Sequence, residues 1–146
     1  MSTGIVVLVA AVAAGVLLSV LKTWYDGRFR RSEGQAVDSA DHLTADDLGA
    51  ELGERATLLQ FSSAFCAPCR ATRRILSEVE GMVDGVRHVE LDAESHLELV
   101  RRLNILRTPT VLVLDAAGDT VTRASGAPRK ADVIAALGAA VDRQAS

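Results

Sequence analysis

Between Met1 and Leu21 the chain carries no charged side chain. Gly4 to Leu21 reads GIVVLVAAVAAGVLLSVL, and Ser19 is its one polar side chain. As a helix rising about 1.5 Å per residue, this run spans about 27 Å, close to a hydrocarbon core of about 30 Å. Such a segment is a membrane span, a cleaved signal peptide or a buried core helix. Trp24 and Tyr25 follow at once, where an interfacial aromatic belt sits. A signal peptide calls for a basic start and a small-residue cleavage site, but only Ser2 and Thr3 lie between Met1 and the run. We therefore read residues 1–25 as an uncleaved single-pass anchor that meets the membrane through residues 4–21.

Flanking charge predicts the orientation. Lys22, Arg28, Arg30 and Arg31 follow the span, partly offset by Asp26 and Glu33, and only the α-amine precedes it. The positive-inside bias then keeps the C-terminal part in the cytoplasm. The opposite topology would place it outside.

The remaining chain is long enough for one domain. Sixteen Lys and Arg against 19 Asp and Glu give a net charge of −3, too weak and too mixed for a nucleic-acid partner. Aromatic residues make up 3%, so the core has to be aliphatic. Two cysteines exclude a disulfide-stapled miniprotein and a four-cysteine zinc site.

Residues 26–41 lack apolar periodicity and read as a linker, with Val37 a candidate edge-strand residue. Residues 42–143 read as the folded domain. Thr44 with Asp47 predicts a capping box opening a helix, with Leu48 and Leu52 on one face and Gly53 as its stop. Ala56 to Ser62 is a buried strand by its apolar run. A helix is predicted from Cys66 to about Glu80, with Ala71, Ile75, Val79 and Met82 as its apolar face. Val86 to Leu91 alternates as a strand. Ser95 and Glu98 predict a second capping box, before an apolar face of Leu99, Val100 and Leu103. Thr110 to Leu114 is a strand, Ala116 to Asp119 a turn, and Asp119 to Ala124 a returning antiparallel strand. Pro128 suits the first position of a last helix that presents Val133, Ile134, Leu137 and Val141. The order α-β-α-β-α-β-β-α predicts an α/β domain with a mixed central sheet flanked by helices.

Both cysteines lie in Phe65-Cys66-Ala67-Pro68-Cys69-Arg70, at a strand–helix junction. Positions i and i+3 at a helix start share one side, within reach of a disulfide. The helix N-terminus stabilises a thiolate at Cys66, and Pro68, lacking an N–H, is tolerated in the first turn. Cys69, one turn deeper, is less exposed and less acidic. The pair thus divides into an attacking Cys66 and a resolving Cys69. Cys66 attacks a substrate disulfide, and Cys69 then attacks Cys66 and releases the reduced substrate. A zinc site is the rival chemistry, but no second CxxC exists and His42, His88 and His96 lie far along the chain. No metal or cofactor is expected.

From about His42 to Val141 the chain resembles the thioredoxin family. The resemblance rests on Phe61 to Cys69, which is similar to the family's strand-plus-CGPC segment, and on His42-Leu43-Thr44 at the first helix. Thr108-Pro109-Thr110 resembles the cis-proline segment, and Ser125-Gly126-Ala127 the glycine-containing turn beside the active site. The resemblance implies that Pro109 is cis and that the Thr108 backbone pairs with an extended substrate. Phe65, Ala67, Pro68, Arg107, Thr108, Gly126 and Ala127 become candidate substrate-binding residues. It also implies disulfide-containing protein partners, and an NADPH-dependent flavoprotein reductase as electron donor.

Three departures from the family pattern stand out. Gln60 occupies the place of a buried Asp, and His88 that of its partner Lys; an amide accepts no proton at neutral pH. Either His88, or water, carries the proton of Cys69, or Gln60 and His88 satisfy each other's hydrogen bonds. Phe65 and Ser62 stand where the family has Trp, and Ala67 where it has Gly. Arg107 replaces a small Gly, and Arg70, Arg73, Arg74, Arg101 and Arg102 either rim the site and favour acidic partners or lie on solvated helix faces. The function expected is a membrane-tethered thiol–disulfide oxidoreductase acting as a reductase. Its rivals are an oxidoreductase of opposite topology and a non-catalytic adaptor of the same fold.

Overall fold

In the computed structural model, residues 2–25, 30–31 and 42–145 are described. The elements run α1 (Thr3–Tyr25), β1 (Arg30–Arg31), α2 (Ala45–Leu48), β2 (Ala56–Ser62), α3 (Ala67–Met82), β3 (Val86–Asp92), α4 (Leu97–Arg102), β4 (Thr110–Asp115), β5 (Thr120–Ser125) and α5 (Lys130–Gln144). The sheet order is β1-β5-β4-β2-β3. β2 runs parallel to β3 and antiparallel to β4, and β4 runs antiparallel to β5. This is the expected mixed sheet, with the two-residue β1 added along β5. Val37 lies outside the described residues.

Strand β2 sits between β4 and β3 and is buried along its whole length, which explains its unbroken apolar run. Its alternate residues feed two cores. Leu58 joins Leu76, Val79, Val133 and Leu137 beneath α3 and α5. Leu59 and Phe61 join Leu43, Leu48, Leu99 and Leu103 beneath α2 and α4. Gln60 faces the α3 side and is fully buried.

Several local expectations change. The capping box of Thr44 and Asp47 is present, but α2 ends at Gly49 rather than Gly53. Gly49 takes the left-handed conformation (φ 61°), and its N–H donates to the carbonyls of Ala45 and Asp46. Gly53 serves close packing instead, since a Cβ there would lie 2.0 Å from the Ala56 carbonyl oxygen. His96, not Ser95, is the N-cap of α4, because the Ser95 hydroxyl donates to Asp92. Pro128 precedes α5, which is entered through Arg129 as N-cap. In α5, Ala136 and Ala140 take the buried places expected of Ile134 and Val141, because small side chains let the helix approach the sheet. Helix α3 buries Cys69, Thr72, Leu76 and Val79, whereas Ala71 and Met82 are exposed. Turning Cys69 inward rotates the helix away from its most apolar-looking stripe.

Helix α1 packs differently from the rest. All of its described side chains are exposed, and Thr3–Trp24 is long and apolar enough to cross a membrane, as a span or as a signal sequence. The Arg129 guanidinium lies 5.9 Å from the centre of the exposed Trp24 ring.

Candidate redox site

The site begins where β2 ends. Residues 63–65 lead out of the strand, and Cys66 is the N-cap of α3 in an extended conformation. Its Sγ accepts the Cys69 backbone N–H at 3.2 Å and is bonded to Cys69 Sγ, with Cα atoms 5.3 Å apart. Pro68 falls in the first turn, where a missing N–H costs no helical bond. Cys66 is half-buried, while Cys69 is buried. Once the bond is reduced, the Cys69 N–H and the free amides of a 16-residue helix favour negative charge on Cys66. Among the described residues no backbone N–H donates to Cys69 Sγ, and Cys69 is buried.

The Thr108–Pro109 peptide is cis. Pro109 is tied to the β5–α5 turn, because the Gly126 N–H donates to its carbonyl at 2.7 Å. Thr108 is tied to the residues before Cys66 by a hydrogen bond between its Oγ1 and Ser63 Oγ (3.0 Å). Pro109 and Gly126 are buried, Thr108 is half-buried, and Phe65, Ala67, Pro68, Arg107 and Ala127 are exposed. Phe65 is the most exposed large apolar side chain among the described residues.

Behind Cys69 lies a polar cluster. The Gln60 amide donates to the Cys69 carbonyl (2.9 Å) and to Ser62 Oγ (3.0 Å), and Gln60 Oε1 lies 3.0 Å from His88 Nε2. Both amide hydrogens being used, Oε1 can only accept, so His88 carries its proton on Nε2. Its Nδ1 then faces Ser77 Oγ at 3.4 Å. Burial pushes the His88 imidazole below its usual pKa and so favours the neutral ring. Gln60 and His88 are thus hydrogen-bonded to each other, with the second ring nitrogen of His88 beside Ser77.

Beside the disulfide a cleft of about 520 Å³ is lined by Ser62, Ser63, Ala64, Phe65, both cysteines and Ala67, with Arg70, Arg73, Glu90 and Asp92 as its charged wall. Glu90 is the register neighbour of Gln60 across the parallel β2–β3 pair. The Arg73 guanidinium holds both Glu90 oxygens and keeps this carboxyl below the usual carboxylate range. Of the six arginines considered as a rim, the cleft gathers Arg70 and Arg73. Arg102 pairs instead with Asp47, on the opposite side of the sheet. Arg74 and Arg101 are exposed helix-face residues, and neither Arg74, Arg101 nor Arg107 lines the cleft. Glu90 and Asp92 carry no motif; only the sheet register reveals the place of Glu90.

Residues 40–139 match the thioredoxin family model. The chain belongs to the thioredoxin family. Thioredoxin of Bacillus subtilis is 27% identical over 89 residues, which cover 60% of this chain and 86% of that protein. Human thioredoxin domain-containing protein 2 is 34% identical over 71 residues, 47% of this chain but only 13% of that longer protein. Among solved structures, spinach chloroplast thioredoxin f aligns with TM-score 0.54 and 24% identity over 60% of this chain and 78% of its own. Reduced Schistosoma mansoni thioredoxin aligns with TM-score 0.53 and 22% identity over 60% and 81%. These structural likenesses concern the fold. The family and the bonded cysteine pair together are those of a thiol–disulfide oxidoreductase in the general sense.

Proposed function

We propose that this thioredoxin-family chain is a membrane-tethered oxidoreductase that reduces disulfides of protein partners. The observation that carries the proposal is the Cys69 N–H aimed at Cys66 Sγ at the mouth of α3. It favours one sulfur as the thiolate nucleophile and leaves the buried one as the resolving thiol. The Cys66 thiolate attacks a partner disulfide, forming a Cys66 mixed disulfide and expelling one partner thiolate. Cys69 then loses its proton, attacks Cys66 and releases the second partner thiolate. The Thr108 backbone, beside Pro109, would pair with an extended partner strand. Phe65, Ala67, Pro68, Arg107, Gly126 and Ala127 would form the surface around it.

The Gln60 amide accepts no proton, so Cys69 would release its proton to water entering the adjoining cleft. The tether through residues 4–21 would raise the effective concentration of the site near membrane partners. Flanking charge favours a cytoplasmic domain, supplied with electrons by an NADPH-dependent flavoprotein reductase.

Reduction of insulin by the full chain in detergent tests the chemistry. Activity lost in Cys66→Ser supports it, whereas an inert wild type with intact thiols supports the adaptor alternative. A topology reporter fused after Ser146 tests the orientation. Trapping with Cys69→Ser captures partners as mixed disulfides.

A further inference from the structure

We infer that the disulfides this chain reduces belong to integral membrane partners and lie just outside the bilayer, because the sheet register sets the substrate edge close to the end of the span. The inference rests on the membrane-tethered oxidoreductase reading above and adds the class of partner to it.

The redox site occupies one end of the sheet. Strand β2 ends at Ser62 and leads on to Cys66. Strand β4 begins beside it at Thr110, next to Pro109, and Thr110 pairs with Ser125 at the end of β5. Gly126 follows Ser125, and its N–H donates to the Pro109 carbonyl.

The connection from α1 joins the sheet at that same end. Strand β1 lies along the outer edge of β5, with Arg30 opposite Arg123 and Arg31 opposite Thr122. The pair is antiparallel, so β1 is entered from the Gly126 end of β5. Four residues separate Tyr25, the last of α1, from Arg30. Such a stretch reaches at most about 18 Å. Pairing of β1 with β5 thus keeps the stretch 26–41 from acting as one long free tether.

A second observation agrees, and it is independent of that register. Helix α1 has exposed side chains along its described length and meets the domain at its last turn, where the Arg129 guanidinium lies 5.9 Å from the centre of the Trp24 ring. Arg129 stands three residues beyond Gly126. With the span in lipid, Trp24 lies at the headgroup level. Chain reach then puts the Gly126 turn within about 25 Å of that level. A partner disulfide at this height sits in a segment adjoining the partner's own span. One carried far out on an extramembrane domain lies beyond it. The exchange itself is unchanged: the partner disulfide becomes two thiols as the Cys66–Cys69 dithiol becomes a disulfide.

The test uses the full chain in liposomes, chemically reduced, with two lipid-anchored peptides that share one disulfide. One peptide carries it directly after the anchor, and the other beyond a spacer of 20 prolines, about 60 Å long. The wild type should reduce the near disulfide about tenfold faster than the far one. Sixty Gly/Ser residues inserted after Gly27, a coil of about 45 Å, should bring that ratio to about threefold or less. Equal reduction of soluble insulin by both chains reports that the insert leaves the domain folded and active. Equal wild-type rates on the two peptides, or a ratio that the insert leaves unchanged, overturn the inference. A wild type that reduces insulin but is stripped from the liposomes by alkaline carbonate overturns the tether, and with it the inference. One that reduces neither insulin nor either peptide overturns the oxidoreductase reading itself.

Discussion

The Ser63 and Thr108 hydroxyl oxygens lie 3.0 Å apart across 45 residues of chain. Their hydrogen bond joins the segment leading into Cys66 to the residue before the cis proline. It holds the two halves of the site in one geometry, and a double-mutant cycle measures it. Ser63→Ala and Thr108→Val should each cost about 1 kcal/mol of stability, with a coupling of similar size between them. Each should also lower insulin reduction, because a loosened Thr108 no longer presents its backbone in a fixed place. Strict additivity in urea unfolding would refute the linkage.

Gln60 and His88 make a pH prediction. His88 Nε2 meets the Gln60 amide oxygen, and the neutral ring is favoured by burial. Reduction by His88→Ala should therefore follow a pH–rate profile of wild-type shape, with at most a modest uniform loss. A limb missing from the variant's profile would make His88 the proton carrier. The stability of the fold responds to the same group. The folded pKa is depressed, so the wild type should lose stability as pH falls below about 6.5, the unfolded value. His88→Ala should lack that loss.

Asp47 governs behaviour in stronger acid. The Arg102 side chain, helped by the Thr44 backbone N–H, pulls its pKa from 3.8 to about 2. A depressed carboxyl stabilises the fold above its unfolded pKa, and that contribution disappears as pH falls from about 4 to about 2. Asp47→Ala should cost about 1 kcal/mol at neutral pH through the lost capping box and ion pair. Its chemical-denaturation stability should also vary less with pH between 4 and 2 than that of the wild type.

Thr72 offers a stabilising change. Its hydroxyl is fully buried beneath α3 and finds no hydrogen-bond partner among the described residues. Thr72→Val should remove that desolvation cost and stabilise by about 1 kcal/mol, a few degrees in Tm. A lower Tm would mean that the hydroxyl is satisfied in solution.

Much of this architecture could be read along the chain. The apolar run of β2, the capping box at Thr44 and the CxxC at a strand–helix junction are local patterns, each carried by a handful of neighbours. The end of α2 at Gly49 and the entry to α5 at Arg129 were harder to place. Two glycines stand close together in the first case, and a proline competes for the cap in the second. The inward face of α3 could not be read from apolar spacing at all. Cys69 and Thr72 lie on the buried stripe, and neither looks apolar enough to announce it.

From the order of its residues alone, this protein's redox pair, its strand–helix alternation and its apolar N-terminal helix were determined, because each is written in contiguous residues. The tertiary structure alone decided that Arg73 closes on Glu90, that Ser63 meets Thr108, and that small residues open a cleft on the disulfide. Those relationships depend on sheet register and helix rotation. Burial across the whole domain sets both, and no local segment encodes them.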